Sequence, residues 1–414
     1  MQGNDPSLTS RQGYIGSAVR KMHLLRRPRW ANRGLAANLL GIGDPRSTRA
    51  HKTFVLVAAV IGLFLTAAFM APMVSTDNSS GFRASVNYVA HETIMIMSDE
   101  QFTGANGVTS GTGTVDDPFV IENWEIDASL FGYGIMISMT SKYYSIRNVH
   151  VFGEGSMAIA LSEAHNGTID GAVLDNSDFG IVAVNSNSLN VTNCFITNQT
   201  SLGLEVAYGE WARIEGNYMA DNEAFAIALF GTSKSSVSMN TCLRTNLSSI
   251  MVLESDDVTV SYNNVSDGAG IGLYMETATN SYVRFNDMTM NQMYGMYVNR
   301  SSDLQIYHNR FIGNGIQAEE GNSTNISWDA GYPMGGNYWS GYNGTDMYNG
   351  QDQDLTGSDG IGDTSHHTVG DGVDRYPWMN EDFTLIPEFG TLLLPVLSVI
   401  AAIAIAAATR RRLQ

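Results

Sequence analysis

Four aspartates near the C-terminal end form the first set of residues whose spacing could do chemistry. Asp352, Asp354, Asp359 and Asp363 fall within twelve residues, with Gly357, Gly360 and Gly362 among them. Calcium takes six to eight hard oxygens from a flexible loop, and alternate acids bounded by glycine can wrap one. The run lacks the terminal Glu of an EF-hand, and a solvated acidic loop has the same composition. A second set is aromatic: Tyr262, Phe285 and His308 recur at 23-residue intervals, with Met239 one interval earlier. Rings stacked on an outer flank can hold sugar rings, whereas the same rings at strand ends would only pack on each other. A third set is Glu254, Asp256 and Asp257. Glycoside hydrolysis needs two carboxylates about 5 to 9.5 Å apart, and eliminative cleavage needs a basic proton acceptor. Adjacent strand residues point to opposite faces, and the sequence reading finds no Lys or Arg beside these acids at matching phase.

What must position these groups is a repeat. Ile146, Ile169, Val191, Ile214, Val237, Val260, Val283 and Ile306 are spaced 22 or 23 residues apart. Three places after the last five stand Asn217, Asn240, Asn263, Asn286 and Asn309, and five places after stand Met219, Cys242, Val265, Met288 and Phe311. A second series of small residues before alternating apolar positions runs from GIMI at Gly134 to GIQA at Gly315. So strict a period means stacked units. The runs alternate apolar and polar residues, and none shows the three-and-four spacing of a helix. The expected fold is therefore all-β, a right-handed parallel β-helix of the pectin-lyase-like kind, whose inward positions form ladders. The asparagine column suits tight buried turns, because Asn tolerates left-handed backbone and stacked carboxamides can bond to one another. A leucine-rich repeat shares the period, but it would need leucines at fixed offsets and a helical return segment.

Charge divides the chain. Residues 1–52 carry ten Lys and Arg against two acids, and residues 75–390 carry ten against 39, a difference of −29. That balance excludes nucleic acid as a partner of the main domain and suits a cation or a hydrated polysaccharide. Cys194 and Cys242 fall in different columns two coils apart, beyond disulfide reach, and read as small buried hydrophobes. Residues 1–52 are expected as a disordered basic cytoplasmic tail and 53–74 as a transmembrane helix or signal anchor, with 21 uncharged residues from Phe54 to Val74. A linker (75–84), the β-helix (85–330) and a Gly-, Asp- and aromatic-rich C-terminal cap (331–382) should follow. In that cap Tyr338, Trp339, Tyr376 and Trp378 should cover the last coil. The stretch GTGTVDDPFVIENWEID from Gly111 is expected to cap the other end. Residues 383–414 combine Pro387 to Gly390, an apolar span from Thr391 to Thr409 and Arg410 to Arg412, which reads as a second transmembrane helix with a cytoplasmic tip. The main domain would then stand outside the cell membrane. Sequons at Asn78, Asn166, Asn190, Asn198, Asn246, Asn264, Asn299, Asn322, Asn325 and Asn343 are candidates for glycosylation there.

The stretch from Gly111, the asparagine-bearing repeats, GGNYWSGYNGTD, DGIGDT and DRYPW together resemble the NosD-like, periplasmic copper-binding β-helix family and its archaeal surface relatives. The resemblance covers roughly residues 93–380. It implies a pectin-lyase-like fold and a role in copper delivery or carbohydrate binding. Copper would require soft thioether and imidazole ligands. Met288, Met290, Met293 and Met296 with His366 and His367 are the residues at hand, although Met288 lies in an inward column that core packing explains. The last segment resembles the PEF-CTERM sorting signals of archaeal surface proteins, which implies processing by an archaeosortase-like enzyme. The expected function is a membrane-anchored surface protein binding glycans or neighbouring surface proteins. A polysaccharide lyase or glycosidase, or a copper-binding accessory protein, is the alternative.

Overall fold

A computed structural model of the chain describes residues 88–381. Each period of the sequence is one coil of three short strands. The coil at residues 213–230 is typical, with Arg213–Glu215, Tyr218–Ala220 and Phe225–Phe230. Corresponding strands pair in parallel from coil to coil, which gives three eleven-stranded sheets, here called I, II and III in that order. Sheet I pairs Ile214 with Val237, sheet II pairs Met219 with Cys242, and sheet III pairs Ile227 with Ile250. The recurring apolar columns read from the sequence are these rungs, and their side chains fill one continuous core. Among the described residues the only helical segments are three-residue 3-10 turns, the last at Ala128–Leu130, and no helical return segment recurs from coil to coil, which removes the leucine-rich-repeat alternative.

The asparagine column lines up along the axis. From Asn240 on, each Asn Oδ1 accepts the backbone N–H and the Nδ2–H of the Asn one coil earlier, as Asn263 does from Asn240 at 3.0 and 3.0 Å, while Asn217 accepts the Cys194 N–H. Its own Nδ2 donates to a carbonyl 26 residues back, Val237 for Asn263 at 2.9 Å. The left-handed residue is not the ladder Asn but the one before it: Met239, Tyr262, Phe285 and His308 all have φ between 56° and 58°. The ladder also runs one rung further, to Asn337, which accepts from Asn309 across a 28-residue step. Three more columns brace other corners. One contains Asn222, Asn291 and Asn314, a second contains Ser235 and Ser281, and a third contains Ser255 and Ser301.

The ends differ from expectation. The second half of the Gly111 stretch is not a cap: Phe119–Glu122 and Trp124–Asp127 are already rungs of sheets I and II. Its first half makes the turn of a hairpin in which Val108–Ser110 runs antiparallel to Phe119–Glu122, and Phe102 stacks on Phe119 at 4.5 Å. At the other end Trp339 lies flat on Phe311, ring centroids 4.4 Å apart, and Trp328, outside the expected set, is equally buried. The buried Asp374 carboxylate accepts the N–H groups of Asn337 and Tyr376 and the Trp339 indole N–H, so it terminates the ladder. Gly336 is required there, because a Cβ would lie 1.9 Å from an Asp374 oxygen. Both cysteines are free and buried. Among the described residues no helix is long and apolar enough to cross a membrane. The expected spans, tail, linker, sorting signal and Asn78 lie outside the described residues.

Candidate ligand-binding face

Sheet I presents a polar outer surface between two corners. Its inward side chains are Ile214, Val237, Val260, Val283 and Ile306, so their neighbours Arg213 and Glu215, Ser236 and Ser238, Thr259 and Ser261, Tyr282 and Arg284, and Gln305 and Tyr307 face outward. The corner toward sheet II carries the aromatic column. Tyr262 is 46% exposed, and its ring is parallel to Phe285 within 5° at 4.9 Å. His308 continues the column at 5.0 Å but is only 1% exposed, with Nε2 bonded to the Met334 carbonyl at 2.6 Å. The C-terminal cap thus removes His308 from the surface and leaves Tyr262 and Phe285, with exposed Met239 above them.

The opposite corner holds groups that the sequence reading missed. Trp211, 58% exposed and at φ 62°, has the Lys234 ammonium 5.1 Å from its ring centre. Lys234 also bonds Glu210 at 3.4 Å. Its register corrects a second expectation, since Lys234 stands one coil before Asp257 in the same column, beside Asp256. A basic residue therefore does accompany those acids. Asp256 accepts from Thr279 Oγ1 at 2.6 Å and Asn280 Nδ2 at 2.7 Å, and these bonds, helped by Lys234, hold its carboxyl below the usual range. Trp211 has no aromatic above or below it in its column, so periodicity carried no signal for it.

The aspartate set does not converge. Asp363 accepts the N–H groups of Met347 and Tyr348 and the Thr345 hydroxyl, and Asp359 caps Ile361 N–H. Asp352 and Asp354 are exposed. Asp346, not singled out before, binds the N–H groups of Asp359 and Gly360. Among the described residues no three His, Cys, Asp or Glu side chains gather as a metal site. The copper set is likewise dispersed: Met288 and Met296 are core, Met290 is exposed, and His366 stacks on Trp339. Of the sequons, Asn198, Asn264, Asn322, Asn325 and Asn343 are exposed, and Asn325 donates to Asp303; Asn166, Asn190, Asn246 and Asn299 are half-buried.

A model of the right-handed β-helix region matches residues 133–249, 158–311 and 212–349, together more than half of the chain. The chain belongs to the right-handed β-helix family. No curated protein matches the sequence. Among solved structures, a periplasmic alginate epimerase is 13% identical, with 58% of this chain and 70% of that one covered and a TM-score of 0.40. The A-module of a mannuronan C-5 epimerase from Azotobacter vinelandii is 16% identical, covering 57% and 72%, with a TM-score of 0.39. A lacto-N-biosidase from Eubacterium ramulus is 12% identical, covering 50% and 49%, with a TM-score of 0.38. Likenesses this distant carry nothing about the activity of this right-handed β-helix chain.

Proposed function

We propose that this β-helix is a carbohydrate-binding protein of the cell surface, tethered to the membrane, and that the outer face of sheet I with its aromatic corner takes the sugar chain. The observation that carries the reading is the Tyr262–Phe285 stack. Bulky residues in left-handed backbone cost about 1 to 2 kcal/mol each, and Asn or Gly would fill the position without that cost. Rings held there nonetheless, parallel to each other and partly in solvent, offer apolar aromatic surface to sugar rings. The serine, threonine, glutamine and tyrosine groups alongside supply donors and acceptors for hydroxyls. The uncharged segments Phe54 to Val74 and Thr391 to Thr409, each with arginines on one side, support tethering. Processing of the second segment by an archaeosortase-like enzyme and glycosylation at the exposed sequons belong to the same reading.

A glycan array probed with the full-length protein, with calcium and with chelator, tests the proposal. Binding that falls at least tenfold in Tyr262→Gly supports it; wild-type protein that retains no glycan contradicts it. A polysaccharide-cleaving activity is the second reading, and the Lys234, Glu210 and Asp256 cluster favours it. New reducing ends or unsaturated products, lost in Lys234→Gln, would establish that activity in place of simple binding.

A further inference from the structure

Most cations of the described residues face a carboxylate. Arg147 pairs with Glu122, Arg213 with Glu215, Lys234 with Glu210, Arg244 with Asp221, Arg310 with Asp287 and Arg375 with Asp329. In a domain where acids so outnumber bases, finding such a partner is easy. Arg284 forms no ion pair among the described residues. It stands on the outer face of sheet I between Ser261 and Tyr307 on the neighbouring coils, and it directly precedes Phe285 of the aromatic corner. Among the described residues its buried Nε has no hydrogen-bond partner, and its one side-chain hydrogen bond is a long 3.5 Å contact from Nη1 to the Tyr307 hydroxyl. The outward residues around it, Thr259, Ser261, Tyr282, Gln305 and Tyr307, include no acid.

A half-buried guanidinium whose donors are unmatched is costly unless a ligand completes it. Its planar fork fits a carboxylate or sulfate through two parallel bonds. Resting on the proposed sugar-binding role of this face, we infer that Arg284 recognises an anionic group of the glycan, so that the ligand is an acidic sugar chain bearing uronate or sulfate. A ring of that chain packs against the Tyr262–Phe285 pair while its anion reaches Arg284. The acidic charge of the rest of the domain opposes such a chain at long range. At physiological ionic strength, however, that repulsion is screened beyond about 8 Å, and the contact at Arg284 is made within hydrogen-bond distance.

The test is calorimetric titration of full-length protein with three size-matched probes: an oligogalacturonate, a sulfated oligosaccharide and a neutral oligoglucoside. Wild-type protein should bind one of the anionic probes about tenfold or more tighter than the neutral one, and the stronger of the two identifies the group recognised. Arg284→Gln should erase that preference, so that the anionic and neutral probes bind with similar affinity, while Arg284→Lys should restore part of it. An unchanged preference in Arg284→Gln, or equal wild-type binding of all three probes, overturns the inference, and neutral binding that still depends on Tyr262 would leave the face itself standing. Failure of every probe to bind wild-type protein removes both.

Discussion

In the first coils the corner between sheets I and II places Asn123, Asn148, Gly171, Asn193 and Gly216 in the left-handed position, and the next residue is apolar: Trp124, Val149, Ala172, Cys194. In the later coils the arrangement reverses. The left-handed residue is Met239, Tyr262, Phe285 or His308, and the next is Asn240, Asn263, Asn286 or Asn309. The coil with Gly216 and Asn217 holds both solutions. In the early coils the bend is made by a residue that adopts φ near 55° at little cost. In the later coils it is clamped by an Asn side chain bonded to the coils on both sides, so the left-handed residue no longer has to be the one that makes the bend. That position becomes free to display a large side chain. The ladder is thus the structural condition for the aromatic surface.

The largest effect expected concerns where the ladder ends. Burial pushes the Asp374 carboxyl up to about 7, against the hydrogen bonds that it accepts. The folded state therefore keeps a proton that the unfolded chain, with its ordinary value of 3.8, releases. This contribution to stability is complete below about pH 4 and is lost as pH rises to about 7, an interval worth on the order of 4 kcal/mol. Urea unfolding of wild type and Asp374→Asn at several pH values between 4 and 8 checks it. The substitution should flatten that limb, and parallel curves for the two proteins would break the assignment.

Next in size is the clamp. Asn263→Ala leaves the Asn240 N–H and Nδ2–H and the Val237 carbonyl without their partner, and should cost roughly 1 to 3 kcal/mol by urea unfolding. In the early coils Asn193→Ala puts Ala in left-handed backbone and gives up an exposed bond from Asn193 Nδ2 to Asp170, and should cost only about 1 kcal/mol. A larger loss at Asn193 than at Asn263 would invert the comparison. Smaller again is the His150 bridge of the early coils, where bonds to Asp175 and then Glu125 raise the imidazole above its ordinary 6.5. Its stabilisation is present below pH 6.5 and fades as pH rises through the folded value. Because the group is only half-buried, His150→Gln should cost a few tenths of a kcal/mol at pH 6 and less at pH 8.

The solenoid was legible because every coil repeats its inward residues at one spacing, as Ile214 to Ile306 do. Asn337 was hidden by the five additional residues that the cap inserts before it. The ladder of Asn222, Asn291 and Asn314 was hidden because Thr245 and Gly268 interrupt it. Of the candidate site, the Tyr262, Phe285 and His308 column could be read directly, but its exposure could not. His308 is covered by Met334, which reaches it from outside the repeat, and Trp211 has no periodic partner. Of the acidic loop, composition carried the charge and not the direction of each carboxylate. Direction is decided by local backbone N–H groups, which claim Asp346, Asp359 and Asp363 one by one.

The separation of clamp from display is tested most directly by the unfolding free energy of Tyr262→Asn, measured beside its glycan affinity. Stability equal to wild type, or higher by up to about 1 kcal/mol, together with lost binding, is the expected result, since Asn relieves the strained position and the clamp at Asn263 is untouched. A loss of about 2 kcal/mol or more, with affinity unchanged, would mean that the ring holds the corner together and displays nothing.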